Sequence, residues 1–248
     1  MRTLYWDTFA GISGDMALGS LIALGADPEI IVDQLNSMGL TEFTLDVRLR
    51  QVHGIQATDI DVVIPLKSHE QHEDHEDKGH HHRRLGDIQK MILSGTLSER
   101  SQNKALLVFN VLAEAEAHVH GTTLAEVHFH EVGAVDSLVD IVGTCIALDL
   151  LDIDLIRVST LPWSRGFVHC DHGILPIPAP ATLMLLRGFK FHDSGITGEL
   201  ITPTGAALIR ALAQQSTFPE MTLLNVGYGA GNNDYGIPSL LRGVLGEI

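Results

Sequence analysis

The first 25 residues constrain the architecture more than any other stretch. Thr3 to Phe9 is short, aromatic and β-favouring, which predicts a buried strand. It runs straight into Gly11-Ile-Ser13-Gly14-Asp15, where the glycines allow a tight turn and Ser13 or Asp15 can cap a helix. The apolar run that follows predicts a helix stopping at Gly25. A strand that passes through a glycine turn into a helix belongs to a layered chain, α/β or α+β, in which helices cover a sheet.

The rest of the chain keeps that rhythm. Pro28 opens a second helix reaching about Met38. Phe43 to Leu49 and Ile55 to Ile64 alternate apolar with polar residues, as two antiparallel strands joined near His53-Gly54 do. Helices are predicted for Leu85 to Ser94, for Ser98 to about Val119, and from Asp136, a candidate cap, to about Leu151. Ile156 to Leu161 reads as a strand, and Gly166 to Gly173 as a strand and turn. Ile174 to Pro180 is proline-bound and extended, before a short helix from Ala181 to Leu186. The glycine-then-helix theme returns at Gly198 to Leu208, with Thr202, Thr204 and Gly205 at the start. Met221 to Val226 reads as a strand, Gly227 to Gly231 as a glycine loop, and Ser239 to Leu245 as a closing strand. The expected fold is a single α/β (α+β) domain over residues 1–248, a mixed β-sheet with interleaved helices.

One segment stands outside this rhythm. Ser68 to Arg84 has no apolar residue to bury and holds six of the 14 histidines: 69, 72, 75, 80, 81 and 82. It predicts a disordered, flexible His-rich insert, either a polar loop or a low-specificity metal-collecting one through His80, His81 and His82.

The charge sum, 16 minus 31, is −15. Such a field attracts cations and argues against nucleic acid or an anionic membrane surface as partner. With 45% apolar and 19% charged residues the composition is globular. Cys145 and Cys170 lie far apart, without a disulfide framework or a CxxC site. Asp7 stands where a signal peptide would carry its apolar run, and no stretch is long enough to span a bilayer, so a cytoplasmic location is expected.

The chemistry concentrates between His118 and Asp140, where four imidazoles and several carboxylates are flanked by apolar residues. His118 and His120 fall at a helix end, where the dipole favours them. On a strand, His128 and His130 share one face and Val127 and Phe129 the other, so two imidazoles can ligate one ion. Glu131 follows directly, and His169 and His172 can supply a third ligand group. Such nitrogen and oxygen donors suit nickel, zinc, manganese or iron, and their spacing does not choose among these. Asp140, surrounded by Val139, Ile141 and Val142, and Glu131 are the candidate catalytic carboxylates. The turns carrying Gly11, Ser13, Gly14 and Asp15, and Thr202, Thr204 and Gly205, are either anion-binding helix starts or packing turns. No GxxxxGK[ST] or GxSxG is present.

Four segments, in order, carry a resemblance. They are Asp7-Thr-Phe-Ala-Gly-Ile-Ser-Gly-Asp-Met16, His128-Phe-His-Glu-Val-Gly-Ala-Val-Asp-Ser137, His172-Gly-Ile-Leu-Pro-Ile-Pro-Ala-Pro-Ala-Thr182 and Gly198-Glu-Leu-Ile-Thr-Pro-Thr-Gly-Ala-Ala207. Together they resemble the nickel-insertion proteins that act on pyridinium-3,5-bisthiocarboxylic acid mononucleotide in nickel-pincer cofactor synthesis. The resemblance implies a nickel chelatase of the lyase class, whose product serves lactate racemase and related enzymes. It also implies use of CTP with manganese or magnesium, associated with a C-terminal half that the resemblance does not cover. The partners implied are the mononucleotide, a racemase apoprotein, the family's C-terminal half and other copies in a homo-oligomer. Two other readings stay open: a nickel storage or delivery chaperone working through the His-rich insert, and a metal-dependent hydrolase using Asp136, Asp140 and the histidine cluster.

Overall fold

The computed structural model describes residues 1–65, 83–124, 126–129, 134–170 and 172–248, with His128 described by its backbone. The chain opens with β1 (Arg2–Asp7), α1 (Gly14–Ala23) and α2 (Pro28–Ser37), followed by the hairpin β2 (Thr44–Val52) and β3 (Ile55–Val63). Next come β4 (Arg83–Arg84), α3 (Leu85–Ser94), α4 (Glu99–His120), β5 (His128–Phe129) and α5 (Val135–Leu150). Then follow β6 (Leu155–Val158), β7 (Leu161–Arg165), β8 (Phe167–Cys170), β9 (Gly173–Pro176) and α6 (Pro180–Leu185). The remainder is β10 (Phe191–Thr197), α7 (Pro203–Leu212), β11 (Gln214–Gln215), β12 (Thr222–Ala230) and β13 (Leu240–Glu247).

The main sheet has seven strands in the order β11-β6-β1-β13-β12-β3-β2. β1 sits inside it, antiparallel to β13 and parallel to β6, so the expected mixed sheet is present. Its Leu4 and Trp6 are fully buried, and the Trp6 indole donates to Ser20 Oγ of α1 at 3.3 Å. That bond satisfies the indole N–H while the ring fills the core. Capping follows the chain chemistry. Asp27 accepts from the Glu29 amide ahead of α2, Ser98 from the Ser101 amide ahead of α4, and Thr202 from the Gly205 amide ahead of α7.

Several boundaries differ from the expectation. Gly227 to Gly231 is not a loop, because β12 continues through it to Ala230. Glycine is needed there for packing: a Cβ at Gly229 would lie 1.9 Å from the Met16 carbonyl oxygen, so its absence lets α1 lie directly on the strand. Asp136 is not the cap of α5. The helix starts at Val135 after Ala134, and Asp136 Oδ1 accepts from the Ser137 amide at 2.8 Å. β10 was not expected; it pairs in parallel with β7, beside the main sheet. Val127 and Phe129 are buried as the alternation requires, with Phe129 edge-on to Phe109 at 6.3 Å.

His80, His81, His82, His130 and Glu131 lie outside the described residues, as does most of the His-rich insert. Among the described residues no helix is long and apolar enough to cross a membrane.

Candidate functional site

The two glycine-then-helix turns, nearly 190 residues apart in the sequence, are side by side. Ile12 and Ile201 form a parallel bridge. The Ile12 amide donates to the Leu200 carbonyl at 2.9 Å, and the Thr202 amide to the Ile12 carbonyl at 3.2 Å. Gly11 takes φ +95 with its α-carbon against Leu200, and a Cβ at Gly205 would lie 2.3 Å from the Ile12 oxygen. The starts of α1 and α7 are thereby locked together, which no residue with a side chain at either position allows.

A cavity of about 190 Å³ opens between them, lined by Ser13, Asp15, Glu199, Thr202, Asn232, Asn233 and Tyr235 among others. Asp15 is its most constrained side chain. Ser13 Oγ and the Met16 amide both donate to Asp15 Oδ1, the latter at 2.8 Å, and Asn232 Nδ2 donates to Oδ2 at 3.3 Å. Burial nevertheless raises the Asp15 carboxyl above the usual carboxylate range, against the lowering effect of those hydrogen bonds. Thr202 spends its hydroxyl on the Gly205 amide at 3.2 Å, and Tyr235 donates to the Glu199 carbonyl at 2.8 Å. Of the turn residues singled out in the sequence, Ser13, Asp15 and Thr202 face this cavity. Gly11, Gly14, Thr204 and Gly205 are buried in the packing that shapes it.

Behind the cavity lies Asp140. A Cβ on Gly14 would come within 2.4 Å of Asp140 Oδ2 and 2.8 Å of Thr204 Cγ2, so the first turns of α1 and α7 and the second turn of α5 converge here. Asp140 is half-buried as a residue, but its Oδ1 is enclosed and has no hydrogen-bond partner among the described residues. Burial first, then the charges of Asp15 and Asp136, push its carboxyl well above the usual range. An enclosed, unpaired carboxylate is costly, so proton retention is the economical state. Asp136 is exposed, and its charge acts on the enclosed Asp140 carboxyl.

A second cavity, about 300 Å³, lies at the C-terminal end of α4 against the β8–β9 hairpin. Its polar wall is Glu116, His120, Cys170 and His172, and its apolar wall includes Leu175, Pro180 and Pro203. His120 Nε2 is 3.4 Å from Glu116 Oε2, one helical turn back, and the His120 and His172 rings are 4.7 Å apart. His169 and His172, expected to supply a third ligand group, are both exposed on or beside the β8–β9 hairpin, and His172 also lines the cavity. The sequence offers no signal for Glu116 or Cys170, and the helix dipole alone accounts for His120 there. Among the described residues no three His, Cys, Asp or Glu side chains already converge on one point at metal-binding range.

A family model described as nickel insertion protein matches residues 4–248. A putative nickel insertion protein of Dictyoglomus thermophilum is 41% identical over 249 residues, covering 100% of this chain and 61% of the relative. A pyridinium-3,5-bisthiocarboxylic acid mononucleotide nickel insertion protein of Akkermansia muciniphila is 45% identical over 250 residues, again 100% of this chain and 61% of the relative. One of the same name from Staphylococcus epidermidis is 41% identical over 242 residues, 97% of this chain and 58% of the relative. The chain thus spans about three fifths of the length of these curated relatives. No solved structure matches.

Proposed function

The chain belongs to the nickel insertion protein family, and from that premise we propose that it inserts Ni(II) into pyridinium-3,5-bisthiocarboxylic acid mononucleotide. The product is the nickel-pincer nucleotide that activates lactate racemase-type enzymes. The observation that carries this reading is the polar cavity between the locked starts of α1 and α7, lined by Ser13, Asp15 and Thr202.

Two helix starts with hydroxyl neighbours favour an anion, and the mononucleotide phosphate is the anion this site takes. Forming the nickel–carbon bond replaces the hydrogen on the pyridinium carbon, which leaves as a proton. Asp15 is the carboxylate on the cavity wall, and its raised affinity for a proton suits it to accept that one. Asp140 lies close behind Gly14, beneath the turn that carries Asp15. The nickel ligands are assigned to His128, His130, Glu131, His169 and His172, with His80, His81 and His82 gathering the ion. The substrate's sulfurs, softer than imidazole or carboxylate, draw nickel from these ligands.

CTP with manganese or magnesium belongs to a different part of the reaction. In the family resemblance that step goes with a C-terminal half, and the chain spans about three fifths of the relatives' length. We therefore assign that step to the portion of the relatives' length that this chain does not span.

The test is calorimetric titration of the mononucleotide into wild type and into Ser13→Ala/Thr202→Val. Loss of a Thr202 hydrogen bond to the phosphate, and of the Ser13 hydroxyl that holds Asp15 in place, weakens binding by about tenfold or more. Unchanged affinity contradicts the placement.

A further inference from the structure

We propose that the loop between β12 and β13, residues 231–239, is a strap across the mononucleotide cavity, in which Tyr235 is the latch and Asn232 orients the Asp15 carboxyl. Both act as positioning residues. This rests on the assignment of that cavity to the mononucleotide made above.

The loop sequence, Gly-Asn-Asn-Asp-Tyr-Gly-Ile-Pro-Ser, is turn chemistry with one aromatic ring in its middle. The Gly231 amide donates to the Ser239 carbonyl at 2.8 Å, so the chain leaves and re-enters the sheet at one point. Arg50 of β2 pins that neck, donating to the Gly231 carbonyl at 2.6 Å. A loop of this length, closed at its neck, is compact and can swing about it.

From the neck the loop crosses to the opposite wall. The Tyr235 phenol donates to the Glu199 carbonyl at 2.8 Å, and its ring fills the space of a missing side chain: a Cβ on Gly198 would lie 2.3 Å from the ring. The Gly236 amide donates to Asp234 Oδ1 at 2.9 Å in the turn that presents the ring. The loop thus joins the sheet to the turn ahead of α7 and walls the cavity that Ser13 and Asp15 line.

The strap has room to move. On its other side is a hollow of about 250 Å³ against the β2–β3 turn, lined by Arg50, His53, Asp234 and Ile237 among others. The loop therefore stands between two open spaces, held at its neck and at Tyr235. Release of the Tyr235 latch opens the inner cavity, and the outer hollow takes the displaced loop.

Asn232 supplies the chemical use of the strap. Asp15 Oδ1 is held from its own turn by Ser13 and the Met16 amide, whereas Oδ2 accepts from Asn232 Nδ2 of the strap at 3.3 Å. An asparagine amide both donates and accepts. It donates through Nδ2 while Asp15 is a carboxylate. When the pyridinium C–H bond breaks, its electron pair goes to the nickel–carbon bond and its proton to Asp15 Oδ2. The amide then turns over and accepts from the new O–H through its own oxygen. One side chain thereby fits both protonation states, which a donor alone does not.

The strap is read on the whole chain without ligand, by hydrogen exchange of the backbone amides of residues 232–236. Tyr235→Phe, which keeps the ring and loses the hydrogen bond, exchanges them about fivefold faster than wild type. Saturating mononucleotide slows them in wild type. Equal exchange in variant and wild type, or no slowing by bound mononucleotide, overturns the strap. Asn232 is read in nickel transfer to the mononucleotide across pH. Asn232→Leu transfers about tenfold more slowly, and the acid limb of its pH profile moves to higher pH, because the carboxylate has lost a donor and holds its proton more tightly. A structural role alone lowers the rate without moving the limb, so an unmoved limb overturns the assignment. Asn232 is exposed, and Asn232→Ser replaces the leucine variant should thermal unfolding show that it does not fold. A wild type that binds no mononucleotide counts against the cavity assignment, whereas the ligand-free exchange comparison still decides the strap.

Discussion

Gly14 and Asp140 are in contact at the point where α1 meets α5, and a methyl group on Gly14 would lie 2.4 Å from Asp140 Oδ2. The same methyl would meet Thr204 of α7 at 2.8 Å, so one glycine sets the spacing of three helices. Gly14→Ala is expected to destabilise the chain by about 2–3 kcal/mol, the usual cost of overpacking a filled core. Gly86→Ala in α3, where nothing lies within 4 Å, should be neutral or stabilising by about 0.5–1 kcal/mol. Urea unfolding of the two variants beside wild type checks both signs.

The Asp140 carboxyl gives a pH-dependent prediction. Its folded pKa is raised above the unfolded value by burial and by Asp15 and Asp136. Folding therefore favours the protonated form. Its contribution is intact below the unfolded pKa of about 3.9 and is lost as pH rises through the folded value. Asp140→Asn, which cannot ionise, should be more stable than wild type at pH about 8, and that advantage should shrink as pH falls towards about 4. Denaturant unfolding at several pH values measures the difference. A constant difference across that range would show that Asp140 is ionised in the folded chain.

How much of this was legible in the sequence depends on the range of the interaction. The β2–β3 hairpin and the apolar run of α1 are local patterns and are present, although β3 buries Ala57 to Ile60 in one unbroken run instead of alternating. Ser13 and Thr202 were legible as candidates because a glycine turn before an apolar helix has the same chemistry at both places. Their meeting through Ile12 and Ile201 was not, since no local pattern encodes a bridge of that length. Gly227 and Gly229 mislead because glycine marks loops by its backbone freedom, whereas here its missing side chain admits α1. Asn232, Asn233, Glu116 and Cys170 carry no motif and become visible only as cavity walls.

Asp59 couples sheet stability to the cavity. It is 2% exposed and faces Arg48 Nε at 2.9 Å and Arg50 Nη2 at 3.3 Å, while Arg50 also donates to the Gly231 carbonyl at 2.6 Å. Arg48→Ala should cost no more than about 1 kcal/mol, because Arg48 is half-exposed and Arg50 still faces the carboxylate. Removing both should cost about 3 kcal/mol, more than the sum of the single changes, by leaving a buried charge unpaired. Equilibrium unfolding of the single and double variants tests this non-additivity.

Deleting residues 66–82 separates insertion from storage. An insertion protein should lose only the weaker portion of its bound nickel and keep its tight equivalent, whereas a storage chaperone acting through those histidines should lose nearly all. Nickel per chain, read by metal analysis after chelator wash, decides between them.

The most direct measurement is nickel transfer itself. The chain is incubated with nickel, the pyridinium mononucleotide, CTP and the remaining C-terminal portion of a relative, and the nickel-containing nucleotide is followed by mass spectrometry. Wild type should form it, and Asp15→Asn should form it about 100-fold more slowly or worse while binding nickel normally, the loss expected when a proton acceptor is removed. Equal rates for Asp15→Asn and wild type, or no product from wild type, would contradict the account.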